Sequence, residues 1–172
     1  MRICTRDTLD RRFPGLHSTI RDGAGRILHD LGAEVVKVEP PEGDVTRNWG
    51  KVRAGLAGYY TQQNAGKRNV CIDLRAEGGP ELIRRLAAEA DVLIENFRPG
   101  IMKKFALGYE DLKAINKKLV MLSISGFGQE GPESGRAAYA PILHGESGWL
   151  QRSAEWNEQP VTDLNLSAAD TN

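Results

Sequence analysis

The sequence predicts an α/β domain, a mainly parallel sheet flanked by helices, and three observations carry that prediction. Four aliphatic or β-branched runs of strand length recur along the chain: EVVKVE (34–39), NVCIDL (69–74), DVLIE (91–95) and LVMLSI (119–124). Helical patterns fill the intervals between them, and strands that alternate with helices join in parallel through crossovers. A chain of 172 residues, 40% of them hydrophobic, is sized for one such domain with a sizeable core.

Taken in order, the elements begin at residue 23. Residues 1–22 carry charges throughout and form an atypical N-terminal segment in which no strand is expected. A helical signal covers Ala24 to Leu31 and leads into the strand 34–39. After the strand 69–74 comes the clearest helix, PELIRRLAAEA, where Pro80 suits a first helical position and Leu82, Ile83, Leu86, Ala87 and Ala90 recur along one face. Shorter helical patterns lie at Ile101 to Phe105, at Tyr109 to Ile115 and around Ala140 to Leu150. The main domain is thereby placed at residues 23–150. Residues 151–172 open on QRSAEWNEQPVTD, which has no periodicity, and close on LNLSAADTN.

Composition excludes several function classes. Lys plus Arg and Asp plus Glu number 23 each, so no general field draws the chain to nucleic acid or to an anionic membrane, and any anion site must be local. Cys4 and Cys71 are isolated and lack metal-ligand spacing, which points to a reduced, cytoplasmic protein without a metal site. The N-terminus lacks the apolar core of a signal peptide, and no stretch approaches membrane-spanning length.

Single motifs decide little. Gly23 and Gly25 precede a helix, and Glu39 ends the next strand, as a dinucleotide fingerprint would have it; but that fingerprint needs a buried strand before its glycines, and LHSTIRD is a poor one. A helix start and an ordinary surface Glu explain the same residues. No G-x-S-x-G elbow occurs, and Ser147 fits a helix end. His144 is a candidate base, though a lone His beside Gly-Glu-Ser is more often structural, and His29 reads as a surface or packing residue. ADVLIENFRPG (90–100) stands apart: three apolar strand residues give way to an amide, a ring, a guanidinium and a Pro-Gly turn. Ligands of parallel sheets bind at the carboxyl ends of strands, where Asn96 to Gly100 would sit.

Several stretches in order and spacing, LGAEVVKVEPPEGDVTR, GKRNVCIDL, ADVLIENFRPG, LGYEDLKAINKKLVMLSISGFGQEGP and AYAPILHGESG, together resemble the successive blocks of the class III CoA-transferases, the formyl-CoA and carnitine CoA-transferase family. The match runs from about Gly25 to Asn172. It implies a Rossmann-like sheet and the N-terminal part of the large domain, truncated relative to longer family chains. It also implies transfer of coenzyme A between an acyl-CoA thioester and a carboxylic acid, with the thioester as substrate and no permanently bound cofactor. The matching nucleophile is Asp170, which forms a mixed anhydride and then an enzyme thioester; carboxylate suits this work because its acyl derivatives stay activated. The competing reading of Asp170 is a helix N-cap, since it precedes Thr-Asn.

By the same resemblance Asn96 and Phe97 line the adenosine end of CoA, Arg75 and Lys104 hold its phosphates, Ile72 makes an apolar contact, and Trp49 and Tyr59 line the acyl pocket. Surface charges and core aromatics are the bland alternatives. The family forms interlocked homodimers, an arrangement not expected of so short a chain. Departures count too. The opening hydrophobic strand and its Ala-Gly-Pro turn are not found, and Tyr139-Ala140 stands where the family often has Tyr followed by an acid. The short chain is expected to be inactive by itself. Two alternatives remain: an acyl-CoA racemase of the same superfamily, whose His would correspond to Tyr139, and a non-catalytic CoA- or nucleotide-binding fragment.

Overall fold

In a computed structural model that describes residues 2–6, 18–136 and 138–162, the chain runs β1 (Arg2–Arg6), α1 (Ser18–Asp30), β2 (Glu34–Glu39), a 3-10 helix (Val45–Asn48), the short strands β3 (Val52–Arg53) and β4 (Leu56–Ala57), and α2 (Gly58–Asn64). It continues through β5 (Arg68–Cys71), α3 (Gly79–Glu89), β6 (Val92–Glu95), α4 (Ile101–Lys104), α5 (Tyr109–Ile115), β7 (Val120–Ser123), α6 (Ala140–Glu146) and α7 (Trp149–Asn157). Five strands pair in the order β5-β2-β1-β6-β7, all parallel, as the alternation of strands and helices predicts.

The expectation that the opening residues hold no strand is wrong. Arg2–Arg6 is the central strand: Ile3 pairs with Val35 on one side and Val92 on the other, and Cys4 with Val36 and Leu93. RICTR is short and begins and ends in arginine, so its apolar signal is slight. Pairing along both edges makes up for it, because a strand's preference depends on its neighbours more than on its own composition.

Alternation along β2 sets Val35, Lys37 and Glu39 on one face and Val36 and Val38 on the other. Val35 joins Ala33 and Ile94 in a buried cluster against which Ala24 and Leu28 of α1 pack. On the opposite face a larger cluster gathers Val38, Leu93, Phe97, Met102 and Leu112 with Ile83 and Ala87 of α3. Both faces of the sheet are therefore covered by helices. Leu82, expected on the inner face of α3, is 45% exposed.

Two further expectations change. Gly23 and Gly25 lie inside α1, not before it, so the glycine turn of a dinucleotide fingerprint does not form. The stretch after Trp149 folds as α7, which buries none of its residues. Its half-buried positions are Leu150, Ser153 and Ala154, of which only Leu150 is a large apolar residue, so the face it turns inward leaves little apolar periodicity in the sequence.

Candidate functional site

The chain passes from β1 outward to β2 and β5, then returns to β6 on the other side of β1. The strand order thus reverses between β1 and β6, and in open parallel sheets the crevice beyond the carboxyl ends at such a reversal is where ligands sit. The turn after β6 lies there. Asn96 and Phe97 are both buried, and a cleft beside them is bordered by Arg98, by Ser125 and Gly126 of the loop after β7, and by Ser134 and Arg136. Gly126 is required for this approach of loops: a Cβ there would fall 1.7 Å from the Cβ of Ala138.

The predicted residues fall into three sets. Asn96 and Phe97 stand at the end of β6, while Ile72 and Arg75 follow β5 at the same edge of the sheet. Ile72 is buried in one cluster with Phe97, so the Phe97 ring is part of the core. Arg75 is 43% exposed on its side chain and pairs with Glu42 at 3.3 Å and Asp73 at 3.4 Å. Lys104 is the exposed last residue of α4. Trp49 and Tyr59, half-buried, form the third set, their ring centroids 5.5 Å apart and planes inclined by 44°. Asp170 lies outside the described residues.

What places Trp49 is a buried group of charges that sequence reading did not find. Lys37 Nζ donates to Asp22 Oδ2 at 2.9 Å, to Asn64 Oδ1 at 3.1 Å and to Asp44 Oδ2. Arg21 bridges Asp22 and Asp44 at 3.0 and 3.3 Å, and Lys67 Nζ donates to the Asp22 carbonyl at 2.8 Å. Burial alone would raise the Asp44 carboxyl, but the charges of Lys37 and Arg21 and the bonds from Lys37 and Thr46 pull it far below its ordinary value. Burial pushes Lys67 down to about 8, against the pull of Asp22. Asp44 also caps the 3-10 helix, accepting from Thr46 N at 2.8 Å and Thr46 Oγ1 at 2.7 Å, and Trp49 follows that helix directly.

A second network sits at the end of β2. Glu39, read as an ordinary surface residue, is buried. It accepts from Arg47 Nε at 2.8 Å, Tyr60 Oη at 2.8 Å and Asn69 Nδ2 at 2.7 Å, while the Arg47 guanidinium lies 4.1 Å from the Tyr60 ring centroid. Burial raises the Glu39 carboxyl, and these donors with Lys37 more than offset it, leaving it below the ordinary range. With its oxygens so engaged, Glu39 is not placed to hold a ribose. The one sequence signal for both networks was EVVKVE itself, whose Lys37 and Glu39 share a face with buried Val35; charges on such a face are paired.

The histidines take structural places. His144 is buried and meets the Trp149 ring edge-on at 5.3 Å, and Ser147 closes α6. His29 Nδ1 is 3.2 Å from the Ala33 carbonyl oxygen, with its ring against Gly66, where a Cβ would come within 1.9 Å of Nε2. Among the described residues no group of three or more His, Cys, Asp or Glu is arranged to hold a metal ion.

Residues 22–171 match the family model described as CoA-transferase family III. The chain is 44% identical over 146 residues to the succinate–glutarate CoA-transferase of Agrobacterium fabrum, covering 80% of this chain and 36% of that protein. It is 40% identical over 136 residues to the Homo sapiens succinyl-CoA:glutarate CoA-transferase, covering 78% and 31%. A solved structure of a CAIB/BAIF family protein from Brucella suis superposes with a TM-score of 0.83 at 40% identity, over 99% of this chain and 44% of that one. The chain spans about a third of the length of these curated relatives.

Proposed function

Because the chain belongs to CoA-transferase family III, we propose that it carries the coenzyme A-binding part of an enzyme that moves coenzyme A between an acyl-CoA thioester and a carboxylic acid. The observation that supports this most is the buried Asn96–Phe97 turn at the strand reversal between β1 and β6, where a parallel sheet offers its ligand crevice. In this reading the Asn96 amide and the backbone of the turn meet the adenosine, Ile72 backs it, and Arg75 and Lys104 hold phosphates. Trp49 and Tyr59 wall the acyl group. The names of the two relatives make succinate and glutarate the first acids to assay.

Asp170 supplies the chemistry in this proposal. Its carboxylate oxygen attacks the thioester carbonyl carbon, the C–S bond breaks, and CoA leaves as thiolate, giving a mixed anhydride. The thiolate then attacks the aspartyl carbonyl and releases the donor acid as carboxylate. An acceptor carboxylate attacks the resulting aspartyl thioester and expels the thiolate, and the thiolate returns to the acceptor's carbonyl, freeing Asp170. Each intermediate retains the activation of the thioester. The same reading puts the protein in the cytoplasm and its whole-length form in a homodimer; among the described residues no helix is long and apolar enough to cross a membrane.

The test is Asp170→Asn in the whole protein. It is expected to fold, bind CoA and lose both transfer and any hydroxylamine-sensitive intermediate, because an amide cannot form the anhydride. A helix cap would survive the change, since the amide oxygen still accepts N–H bonds. Transfer at the unsubstituted rate would therefore end the nucleophile reading.

A further inference from the structure

Glu95 is the last residue of β6, and its carboxylate is buried directly beneath the Asn96–Phe97 turn. Oε2 accepts the backbone N–H of Phe97 at 2.8 Å. The other partner is the hydroxyl of Ser123, which stands opposite Glu95 in the parallel register of β6 and β7. The carboxylate thus ties the first peptide of the turn to its own strand and to the next one. No cation is paired with Glu95 among the described residues, in contrast to Glu39, which ends β2 in a similar way and also accepts a backbone N–H from the loop beyond, that of Asp44 at 3.2 Å.

We propose that Glu95 is a positioning residue: it fixes the Asn96–Phe97 turn as a hydrogen-bond acceptor, and ligand binding at the strand reversal depends on that fixation. The ligand named, coenzyme A, rests on the function proposed above; the clamp itself does not. A role as acceptor rather than as charge agrees with the setting. Burial pushes the Glu95 carboxyl upward, and the bonds from Ser123 and Phe97 work against that rise without a neighbouring cation to complete the reversal. Gln can reproduce both bonds, since its carbonyl accepts from Phe97 and its amide donates to the Ser123 oxygen. Leu can reproduce neither.

Two measurements on the whole protein test this, using Glu95→Gln, Glu95→Leu and Ser123→Ala. Hydrogen exchange at the Phe97 amide reads the clamp, and calorimetric titration with CoA reads its use. Glu95→Leu should speed Phe97 exchange at least tenfold relative to the Leu93 amide within β6 and raise the Kd for CoA tenfold or more. Glu95→Gln should stay within about twofold on both. Ser123→Ala should fall between them, and it replaces Glu95→Leu if that variant does not fold. Unchanged exchange in Glu95→Leu and Ser123→Ala, raised exchange with unchanged CoA affinity, or a Gln variant as impaired as Leu would each overturn the proposal. If the unsubstituted protein binds no CoA while exchange follows the expected order, the functional reading fails and the clamp stands.

Discussion

Lys37 Nζ lies 2.9 Å from Asp22 Oδ2 with both side chains withdrawn from water, so the middle of β2 is held to α1 by an ion pair on the face where Val35 makes apolar contact. The pair belongs to a set in which Asp44, Arg21, Asn64 and Lys67 also take part, and breaking it is costly because its members cannot be rehydrated in place.

Lys37→Met is expected to destabilise the protein by roughly 3–5 kcal/mol, because it leaves Asp22 and Asp44 buried with less compensation. Urea unfolding measures it. The double variant Lys37→Met, Asp44→Asn should recover part of the loss; equal loss in both would show that the charge of Asp44 is not what the lysine balances.

Asp44 also predicts acid sensitivity. Its folded value is depressed below the ordinary 3.8, so its stabilisation is full above the unfolded value and is lost as the pH falls through about 4 and below. Asp44→Asn should be less stable at neutral pH and show a shallower decline between about pH 5 and pH 2. Parallel curves for the two proteins would contradict this.

Lys67 acts in the opposite pH range and with the opposite sign. Its folded value of about 8 lies below the ordinary 10.5. Below pH 8 both states are protonated and the cost of burying the charge is present in full. Between about 8 and 10.5 the unfolded chain binds more protons than the folded one, and stability rises with pH. The slope of unfolding free energy across that window should be more positive in the unsubstituted protein than in Lys67→Met, and equal slopes would refute the assignment.

Phe97→Ala should behave as a core truncation. The ring shares a buried cluster with Leu93, Met102 and Leu112, so the change should cost about 3–5 kcal/mol of stability. A loss confined to CoA affinity, with the unfolding midpoint unmoved, would show instead that the ring serves the ligand.

Gly79→Ala reverses a usual trend. Alanine in place of glycine within a helix ordinarily stabilises by roughly 0.5–1 kcal/mol, yet a Cβ at Gly79 would lie 1.9 Å from the Asp73 carbonyl oxygen. The loop holding Arg75 would have to shift, and a net loss of roughly 1–3 kcal/mol is expected by denaturant unfolding. A gain would mean that the loop yields freely.

Sequence reading succeeded where a local pattern reports a local fact. Glu34–Glu39 was legible to the residue because its apolar side chains sit on a strand covered on both faces, and Tyr109–Ile115 because both ends are marked, with Gly108 before it and Asn116 after. The Asn96–Phe97 turn stood out because a buried strand stops there and polar groups begin. β1 escaped because its reason for being a strand lies in β2 and β6, far along the chain. The ion network escaped for the same reason: Asp22, Lys37, Asp44, Asn64 and Lys67 share no spacing, and only the packing of α1, β2 and α2 brings them together. That Phe97 faces the core could not be read either, since an aromatic at a strand end fits a core or a ligand equally well.

The position of β1 also bears on how the protein comes into being. Ile3 and Cys4 leave the ribosome well before Val92 and Leu93, with which half of their backbone pairing is made. At ~5–20 residues per second the intervening chain takes about five to twenty seconds to make. During that interval the strand destined for the middle of the sheet has one edge unpaired, and that edge is a template for any other extended chain. The nascent protein is thus most exposed to misassembly while its future centre is still an edge, and slower translation between β2 and β6 lengthens that exposure.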